Sequence, residues 1–474
     1  MTISVRHRLG GLAALACLIS VSLLGACTLG PNYTRPIVDA PSGFRGAQDQ
    51  GGTAVEQSIA DRKWSEIFED QALQALIQRA LEHGYDVRIS AARVLEAQAQ
   101  LGVTRADQFP AVSGGATELA ERPSRALTGT SRTFAGSELQ ASAAWEIDFW
   151  GRYRRATDAA RAALLASEWG RRAVMTTLVS QVAQGYFRLR MFDLSLDVSK
   201  ATLESRRESL RLTQVREQGG VGSLVDVRQA EQLVYEATGE IATLEREIEQ
   251  EENLLSVLLG DNPGTIARGR ALTDQPEPPE VPPGLPSALL ERRPDIQEAE
   301  QRLVSANAEI GAARAAYFPS ITLTGSAGVQ SAALTALFSG ANAVWSGAAS
   351  LVQPIFTAGR TRSQVAAAEA RRDEALLDYQ QTIRQAFREV SDSLIGYRKL
   401  REFREQQQLL VTSADDARRL VDVRYSGGVA SYLEVLDADT RRFNAQLGLA
   451  EAQFDELSAL VEIYRALGGG WSAP

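Results

Sequence analysis

Apolar and polar positions alternate in two parts of the chain, residues 109–150 and 318–357, as they do in β-strands with unlike faces. Strands of about ten residues cross a bilayer when tilted, but a soluble sheet with one solvated face shows the same alternation. The pattern predicts two strands in each part and leaves both settings open. The clearest apolar positions are Leu139, Ala141, Ala143, Trp145, Ile147 and Phe149, then Ile321, Leu323, Gly325, Ala327 and Val329.

Each pair of strands is followed by a very long stretch with helical character. More than sixty residues run without proline from Gly151 to Gly219, and again from Gly359 to Gly427. As helix, each would extend to about 90 to 100 Å. A seven-residue apolar repeat follows the second stretch, and a similar seam in the first half is interrupted at Glu251. We expect these helices to pack lengthwise against other helices. The second seam consists of Leu436, Phe443, Leu447, Ala450, Phe454, Leu457, Val461 and Tyr464.

The two halves of the chain repeat one another. Phe109-Pro110 recurs as Phe318-Pro319 at an offset of 209, and Gly219-Gly220-Val221 recurs as Gly427-Gly428-Val429 at an offset of 208. A register held over most of each half favours duplication. We expect a first repeat over residues 61–260, with long helices in 151–260, and a second over 287–468, with long helices in 359–467. A proline-rich crossing over 261–286 joins them, and a tail follows over 469–474.

The N-terminus carries an export signal. Arg6 and Arg8 precede an apolar run over residues 12–24 that is too short for a comfortable membrane span. The run ends in Leu24-Gly25-Ala26-Cys27, which resembles a bacterial lipobox, although an ordinary cleavage after Ala26 is the alternative. We expect residues 1–26 to be a lipoprotein signal and Cys27 to carry N-acyl and S-diacylglycerol lipid. Residues 27–60 would form a lipid-anchored extended segment.

Composition narrows the possible chemistry. The formal net charge is −9, and removal of the signal, which contains Arg6 and Arg8 and no acidic residue, makes it −11. This negative charge argues against a nucleic-acid partner. Cys27 would be the sole remaining cysteine, so no internal disulfide can form. His83 would be the sole histidine, and the sequence lacks phosphate-loop, serine-hydrolase and zinc-protease motifs. We expect neither an enzyme nor a metal cofactor.

Four strands cannot close a barrel by themselves. An open strand edge in hydrocarbon leaves unpaired backbone groups at several kcal/mol each. Outer-membrane barrels start at about eight strands, and an eight-stranded barrel is filled by its own side chains, so twelve strands would leave a passage. We therefore expect an α+β membrane protein with a transmembrane β-barrel of four strands per chain, closed by trimerisation, and a tube of long helices around the same axis.

Several motifs in this order resemble the TolC-like outer membrane factors, in particular the NodT-type efflux lipoproteins. They are Cys27 with residues 28–36, the two Phe-Pro strand entries, the two Gly-Gly-Val turns and residues 424–438. The resemblance covers nearly all of the mature chain. It implies a homotrimer with a twelve-stranded outer-membrane β-barrel, a long α-helical barrel in the periplasm and an equatorial collar. It also implies two protein partners, a periplasmic adaptor (membrane fusion protein) and an inner-membrane transporter of the resistance-nodulation-division (RND) kind.

The glycine breaks are where each long helix should reverse, because paired glycines can take the positive φ of a sharp turn. By resemblance these turns lie at the periplasmic tip and contact the hairpin tips of the adaptor. The alternative is that they are only favourable turns. The residues concerned are Gly220, Val221, Gly222, Ser223, Gly428, Val429, Ala430 and Ser431.

The same family closes its tip with an aromatic, a hydrophobic ring and an acidic ring, and Tyr425, Leu433 and Asp437 have that spacing. Three Asp437 carboxylates near one axis would repel one another and attract cations. The alternative for Asp437 is a solvated carboxylate on a helix surface. Relatives often carry an arginine where this chain has Thr440. Asp226 is either a tether to Tyr425 or a polar surface residue.

The resemblance implies passive conduction of drugs or other small toxic compounds from the periplasm to the outside, as the outer-membrane exit channel of a tripartite efflux pump. A related alternative is an exit duct for type I polypeptide secretion, although secretion members usually lack the lipobox. A third alternative is a non-conducting structural lipoprotein that bridges the periplasm. The doubled alternating strands argue against that last alternative.

Overall fold

A computed structural model of the chain describes residues 28–41, 43–45, 59, 62–122, 124–128, 133–276, 286–339 and 342–469. The export signal, Cys27 and residues 277–285 of the crossing lie outside these residues. The chain divides into two compact units. Unit 1 contains residues up to 37, 94–167 and 298–379, and unit 2 contains 38–93, 168–297 and 380 onward. Both repeats contribute to each unit.

Unit 1 contains an antiparallel sheet of four strands in the order β1-β2-β3-β4. The two central strands come from different repeats, whereas β1 and β4 form the edges. Each repeat therefore supplies one pair of strands, and the sheet depends on both. The strands are β1 (Ala111–Glu121), β2 (Phe134–Ile147), β3 (Ser320–Ser331) and β4 (Ala343–Val352).

The strand register carries the alternation across the whole sheet. Ala141 lies opposite Ala327, which lies opposite Trp345, so these apolar side chains share one face. The neighbouring level on the other face has one serine on every strand, and hydroxyl pairs at 2.9 Å join β1 to β2 and β3 to β4. The sheet thus has one apolar and one polar face, as the sequence predicts. The serines are Ser113, Ser142, Ser326 and Ser346.

The helices confirm the internal repeat. α3 and α8 both have 22 residues, α5 and α9 both have 67, and α6 and α10 both have 35. None of the helices within the described residues is long and apolar enough to cross a membrane. The bounds are α1 (Trp64–Ile67), α2 (Gln71–His83), α3 (Tyr85–Ala106), α4 (Arg125–Thr128), α5 (Arg152–Gln218), α6 (Leu224–Leu258), α7 (Pro286–Arg292), α8 (Pro294–Ala315), α9 (Arg360–Ser426) and α10 (Tyr432–Ala466).

Buried aromatic rings form part of the core of unit 2. Phe68 contacts Phe187 and Tyr464 edge to face, with ring centroids 6.3 and 6.1 Å apart. Asp70, which caps α2, is buried beside them and accepts a hydrogen bond of 2.8 Å from the Tyr186 hydroxyl. Burial alone would raise the pKa of Asp70, but its hydrogen bonds lower it below the ordinary value. These bonds also reach the backbone of Arg270, at 2.9 Å, and so fix the start of the crossing.

The segment that follows Cys27 is extended and bound along unit 1. Gly30, at φ +101°, lies so close to Gly311 that a Cβ at Gly30 would be 2.4 Å from the Gly311 Cα. Buried Arg155 donates hydrogen bonds to the Leu29 carbonyl at 3.1 Å and to the Asn32 side chain at 2.8 Å. The path of the chain immediately after the predicted acylation point is therefore held by backbone contact and by charge-assisted hydrogen bonds.

Candidate functional site

The two long helices reverse at turns of the same construction. Gly220 and Gly428 have φ of 73° and 74°, the left-handed conformation that favours glycine. In the first turn the Val221 amide donates to the Arg216 carbonyl at 3.0 Å and the Gly220 amide donates to the Glu217 carbonyl at 2.9 Å, which is the Schellman pattern. The second turn has the same two bonds, both at 3.0 Å. In each glycine pair, the second glycine alone takes the positive φ.

Capping boxes start both return helices. Ser223 accepts a hydrogen bond from the Val225 amide at 3.1 Å, and its own amide donates to Asp226 at 3.3 Å. In the second turn the Ser431 amide donates to Glu434 at 3.0 Å. That backbone bond lowers the pKa of Glu434. The structure therefore gives Asp226 a local part in ending the first turn, because its carboxylate satisfies a free backbone amide.

The predicted adaptor-binding residues form two exposed loops between the caps. Val221 and Val429 both project into solvent. The loops differ at the next position, where the first has Gly222 and the second has Ala430. A Cβ on Gly222 would be 2.9 Å from the Glu217 amide nitrogen, so the first loop has no room for a side chain there. The two tips thus present apolar side chains of the same kind on slightly different backbones.

Helix α10 begins with two unlike faces. Leu433 is 62% exposed, and the Asp437 side chain, one turn further on, is 61% exposed. The Asp437 carboxylate accepts a hydrogen bond of 2.8 Å from Nε of Arg441 on the same helix. The ion partner of Asp437 is therefore four residues away at Arg441, whereas Thr440 is half-buried. The opposite face buries Tyr432, Val435, Leu436 and Asp439.

The buried face of α10 belongs to a hydrophobic group that we name the tip cluster. Burial raises the pKa of Tyr432 above its ordinary value of about 10. Tyr425 packs at the border, 5.6 Å from the Tyr432 ring and 5.0 Å from the Arg216 guanidinium. The predicted aromatic gate residue is thus held by a ring and a cation. The tip cluster consists of Ala230, Tyr432, Val435 and Leu436, bordered by Leu210, Leu233, Val421 and Tyr425.

Sequence reasoning missed a buried ion group beside the tip cluster. Arg206 donates a hydrogen bond of 2.9 Å to Asp439, and Nε of Arg418 lies 3.6 Å from the same carboxylate. A signal for it exists in the sequence, since Asp439 continues the spacing of Tyr432 and Leu436 along the buried face. An acid at such a position is rarely left without a cation. The described residues contain no group of three or more His, Cys, Asp or Glu that could hold a metal ion.

A model of the outer membrane efflux protein family matches residues 76–261 and 285–469, which correspond to the two repeats. The chain belongs to the outer membrane efflux protein family. This efflux protein is accordingly located in the outer membrane and serves as an exit channel, as the sequence predicts. The family consists of channel proteins of efflux systems.

Similar proteins extend over nearly the whole efflux protein. The solvent efflux pump outer membrane protein SrpC of Pseudomonas putida is 38% identical over 459 residues, which cover 96% of this chain and 98% of SrpC. The cation efflux system protein CusC of Escherichia coli is 34% identical over 454 residues, 96% and 97% of the two chains. The open state of the MtrE outer membrane channel of Neisseria gonorrhoeae has a TM-score of 0.85 at 32% identity, covering 94% of this chain and 99% of that chain. These relatives confirm the predicted fold class.

Proposed function

We propose that this efflux protein works as a homotrimer and conducts small toxic compounds passively through one shared pore. The observation that carries the proposal is the single four-stranded sheet of unit 1, which has one apolar face and two free edges, β1 and β4. Each free edge exposes backbone N–H and C=O groups that cannot remain unpaired in hydrocarbon. Pairing β4 of one copy with β1 of the next satisfies both edges without any new element.

Three copies supply twelve strands, enough for an open lumen, whereas two copies supply eight, which side chains would fill. The apolar face, with Trp345 strongly exposed in the single chain, suits contact with lipid. The polar face would then line the lumen. At the level of the serine row it carries hydroxyl groups and no charge, so it presents little barrier to uncharged solutes.

The gate is proposed at the exposed face of α10. Leu433 and Asp437 are both available to meet their counterparts from two other copies. Three leucines would exclude water from the axis, and three carboxylates would repel one another across it. The ion pair with Arg441 would neutralise part of this repulsion while the pore is closed.

The tips are proposed to bind a periplasmic adaptor, which connects the channel to an inner-membrane RND-type transporter. The supporting feature is the pair of exposed loops with small or apolar residues, Gly220 to Ser223 and Gly428 to Ser431, because small side chains allow another helical hairpin to approach closely. The transporter supplies the energy, and the channel contributes no catalytic step.

The N-terminus is proposed to be acylated at Cys27 and anchored in the outer membrane. The next residue, Thr28, lies against Gly151, in the short turn between β2 and α5, and Leu29 donates a hydrogen bond to the Trp150 carbonyl at 3.3 Å. An acyl group attached one residue earlier would therefore enter the bilayer close to the strands. Mass spectrometry of the mature N-terminus tests the modification.

The deciding experiment measures the detergent-corrected mass of protein extracted from outer membranes, by light scattering with absorbance and refractive index. Three chains per particle, together with channel events in a planar bilayer, are expected. A stable monomer that carries no current under any pH or voltage would contradict the shared pore. The Cys27→Ala variant provides a control, because it separates loss of the anchor from loss of trimer formation.

A further inference from the structure

Arg206, Arg418 and Asp439 form an ion triad inside unit 2. The Arg206 and Asp439 side chains are 3% and 8% exposed, and Arg418 is 12% exposed. Arg206 contacts Asp439 through a hydrogen bond of 2.9 Å, and its guanidinium lies 5.0 Å from the centre of the Phe443 ring. Arg418 also pairs with Asp422 on its own helix. One carboxylate is therefore shared between two cations in an environment largely closed to water.

The triad joins the four long helices. Arg206 is on α5, Arg418 on α9 and Asp439 on α10, and a second hydrogen bond of 2.9 Å runs from Arg206 to the Leu233 carbonyl of α6. Each triad residue lies three or four positions, about one helical turn, from a residue on the same helix that belongs to the tip cluster or borders it. The apolar contacts of the tip cluster hold the helices together but are not directional. The hydrogen bonds of the triad, in contrast, require one geometry.

Such a group is a poor source of stability, because removing charges from water costs about as much as their attraction returns. Replacing both members of a buried ion pair with apolar residues often leaves stability unchanged. Removing only one member destabilises the protein, because the other charge stays buried without a counterion. The arrangement is therefore better explained by the orientation it imposes. The two roles can be separated by experiment, because an apolar replacement of the pair should keep the melting temperature but lose the orientation of the helices.

Asp439 lies two residues after Asp437, which is about 200° around an α-helix. The two carboxylates consequently face opposite sides of α10, one to the triad and the other to solvent. While Asp439 is held by the two arginines, α10 cannot rotate about its axis, so Leu433 and Asp437 keep their direction. Fixing the buried side of the helix fixes the direction of its exposed side.

The triad has no counterpart at the matched positions of the other repeat. Arg206 corresponds to Ala414, and Arg418 corresponds to Leu210. Glu231, the counterpart of Asp439, pairs with Arg228 on its own helix at 2.7 Å. Duplication alone therefore does not account for the triad. Its carboxylate, Asp439, lies on α10, the helix that carries the proposed gate residues.

We propose that the Arg206–Asp439–Arg418 triad positions α10 so that Leu433 and Asp437 face the pore axis in the closed channel. The proposal rests on the proposed gate. Asp439 and Arg206 are positioning residues and need not contact the conducted solute. Loss of the triad should let α10 turn or shift, and the closed state should leak.

The test compares full-length trimers in planar bilayers. Asp439→Asn should raise the resting conductance roughly tenfold or more, because one buried partner is lost while shape is kept. Glu208→Gln is the matched control, since it removes an exposed pair with Arg211 on the same helix as Arg206 and should leave conductance unchanged. Trimer mass and melting temperature are recorded for every variant.

The double variant Arg206→Met with Asp439→Leu covers the case in which Asp439→Asn fails to assemble. It removes both charges and fills their space with apolar side chains, while Arg418 keeps its partner Asp422. The variant should therefore form trimers with a melting temperature near that of the parent. It should still leak. A double variant that assembles and closes as tightly as the parent would overturn the positioning proposal, because packing alone would then suffice.

Leu433→Ala distinguishes failure of the proposed gate from failure of the proposed positioning role of the triad. If it leaks and the assembled triad variants match Glu208→Gln, the gate stands and the triad has no positioning role. If neither Leu433→Ala nor the triad variants leak in a trimer that conducts, the proposed gate is wrong and the positioning proposal falls with it. Leakage in Leu433→Ala and in the triad variants, with Glu208→Gln closed, supports both.

Discussion

The two helical hairpins share a backbone plan and differ in their side chains. In both repeats a helix of 67 residues ends in a Schellman turn, and a helix of 35 residues begins in a capping box. At matched positions of the return helices the side chains diverge. Val225, Gln229 and Glu231 in the first hairpin correspond to Leu433, Asp437 and Asp439 in the second.

This comparison separates two kinds of position. Glycines and caps satisfy backbone geometry, which follows one plan in both repeats and tolerates little change. The positions that differ are those where α10 presents an apolar and acidic face outward and an ion triad inward. We infer that the second hairpin carries the gate and the first hairpin supports it.

The largest expected effect comes from truncating the exposed side chains at the start of α10. Leu433→Ala with Asp437→Ala should raise resting conductance by about an order of magnitude, because both the dry constriction and the charged constriction are lost. Val225→Ala with Gln229→Ala provides the matched change in the first hairpin and should leave conductance unchanged. Single-channel recording in planar bilayers checks both, and equal leakage from the two hairpins would contradict their functional difference.

Backbone changes at the turns should affect both hairpins alike. Gly428→Val and Gly220→Val each force a β-branched residue into positive φ, at a cost of about 1–2 kcal/mol or more. Both variants should melt at lower temperature by similar amounts, as measured by thermal unfolding of the trimer in detergent. A substantial loss from one variant alone would show that the two turns are not equivalent.

Loss of a cap should have a smaller effect, again in both hairpins. Ser223→Ala and Ser431→Ala each remove a side-chain acceptor for a free amide at the start of a helix, worth about 1 kcal/mol. Thermal melting is the measurement. Ser426→Ala, on an exposed side chain in the last turn of α9, serves as a control and should melt like the parent.

The smallest effect concerns two buried carboxylates on the return helices. Glu251 lies 3.6 Å from Arg188, and Glu456 lies 2.7 Å from Arg404. Burial raises the pKa of both glutamates. A raised pKa means that ionisation destabilises the folded state, so stability is full below the unfolded pKa of about 4.3 and falls as pH rises through the folded pKa.

Glu251→Gln should therefore melt at a slightly higher temperature than the parent at pH 7, and the gain should vanish towards pH 4. Glu456→Gln should gain less, because it weakens the shorter contact with Arg404. Melting temperatures between pH 4 and 8 decide the matter. A gain for Glu251→Gln that grows as pH falls would have the wrong sign for this explanation.

Much of the fold could be predicted because its determinants are local or periodic. Alternation at period two located β2 and β3, and it placed β1 and β4 only within the windows 109–150 and 318–357. The positions of Gly219, Gly220, Gly427 and Gly428 located both reversals. Equal helix lengths in the two repeats follow from an offset that stays at 208 or 209. The seam interruption at Glu251 was also visible, although its partner Arg188 was not.

The site could be predicted only in part. The spacing of Leu433 and Asp437 places both on one helical face, but it does not tell which face is outward. The sequence also left Asp226 between two roles, and the local cap became evident only from its hydrogen bond to Ser223. Cys27 lies outside the described residues, so its acylation remains a prediction.

The sequence by itself determined the repeat, the strands with unlike faces, the long helices and the glycine turns, because each depends on backbone preference or on a periodic pattern within one segment. The tertiary structure alone decided that β2 and β3 from different repeats pair, and that Arg206 meets Asp439 across 233 positions of chain. Those contacts depend on which helix faces pack together, and a buried charge takes its partner from the neighbour that packing provides.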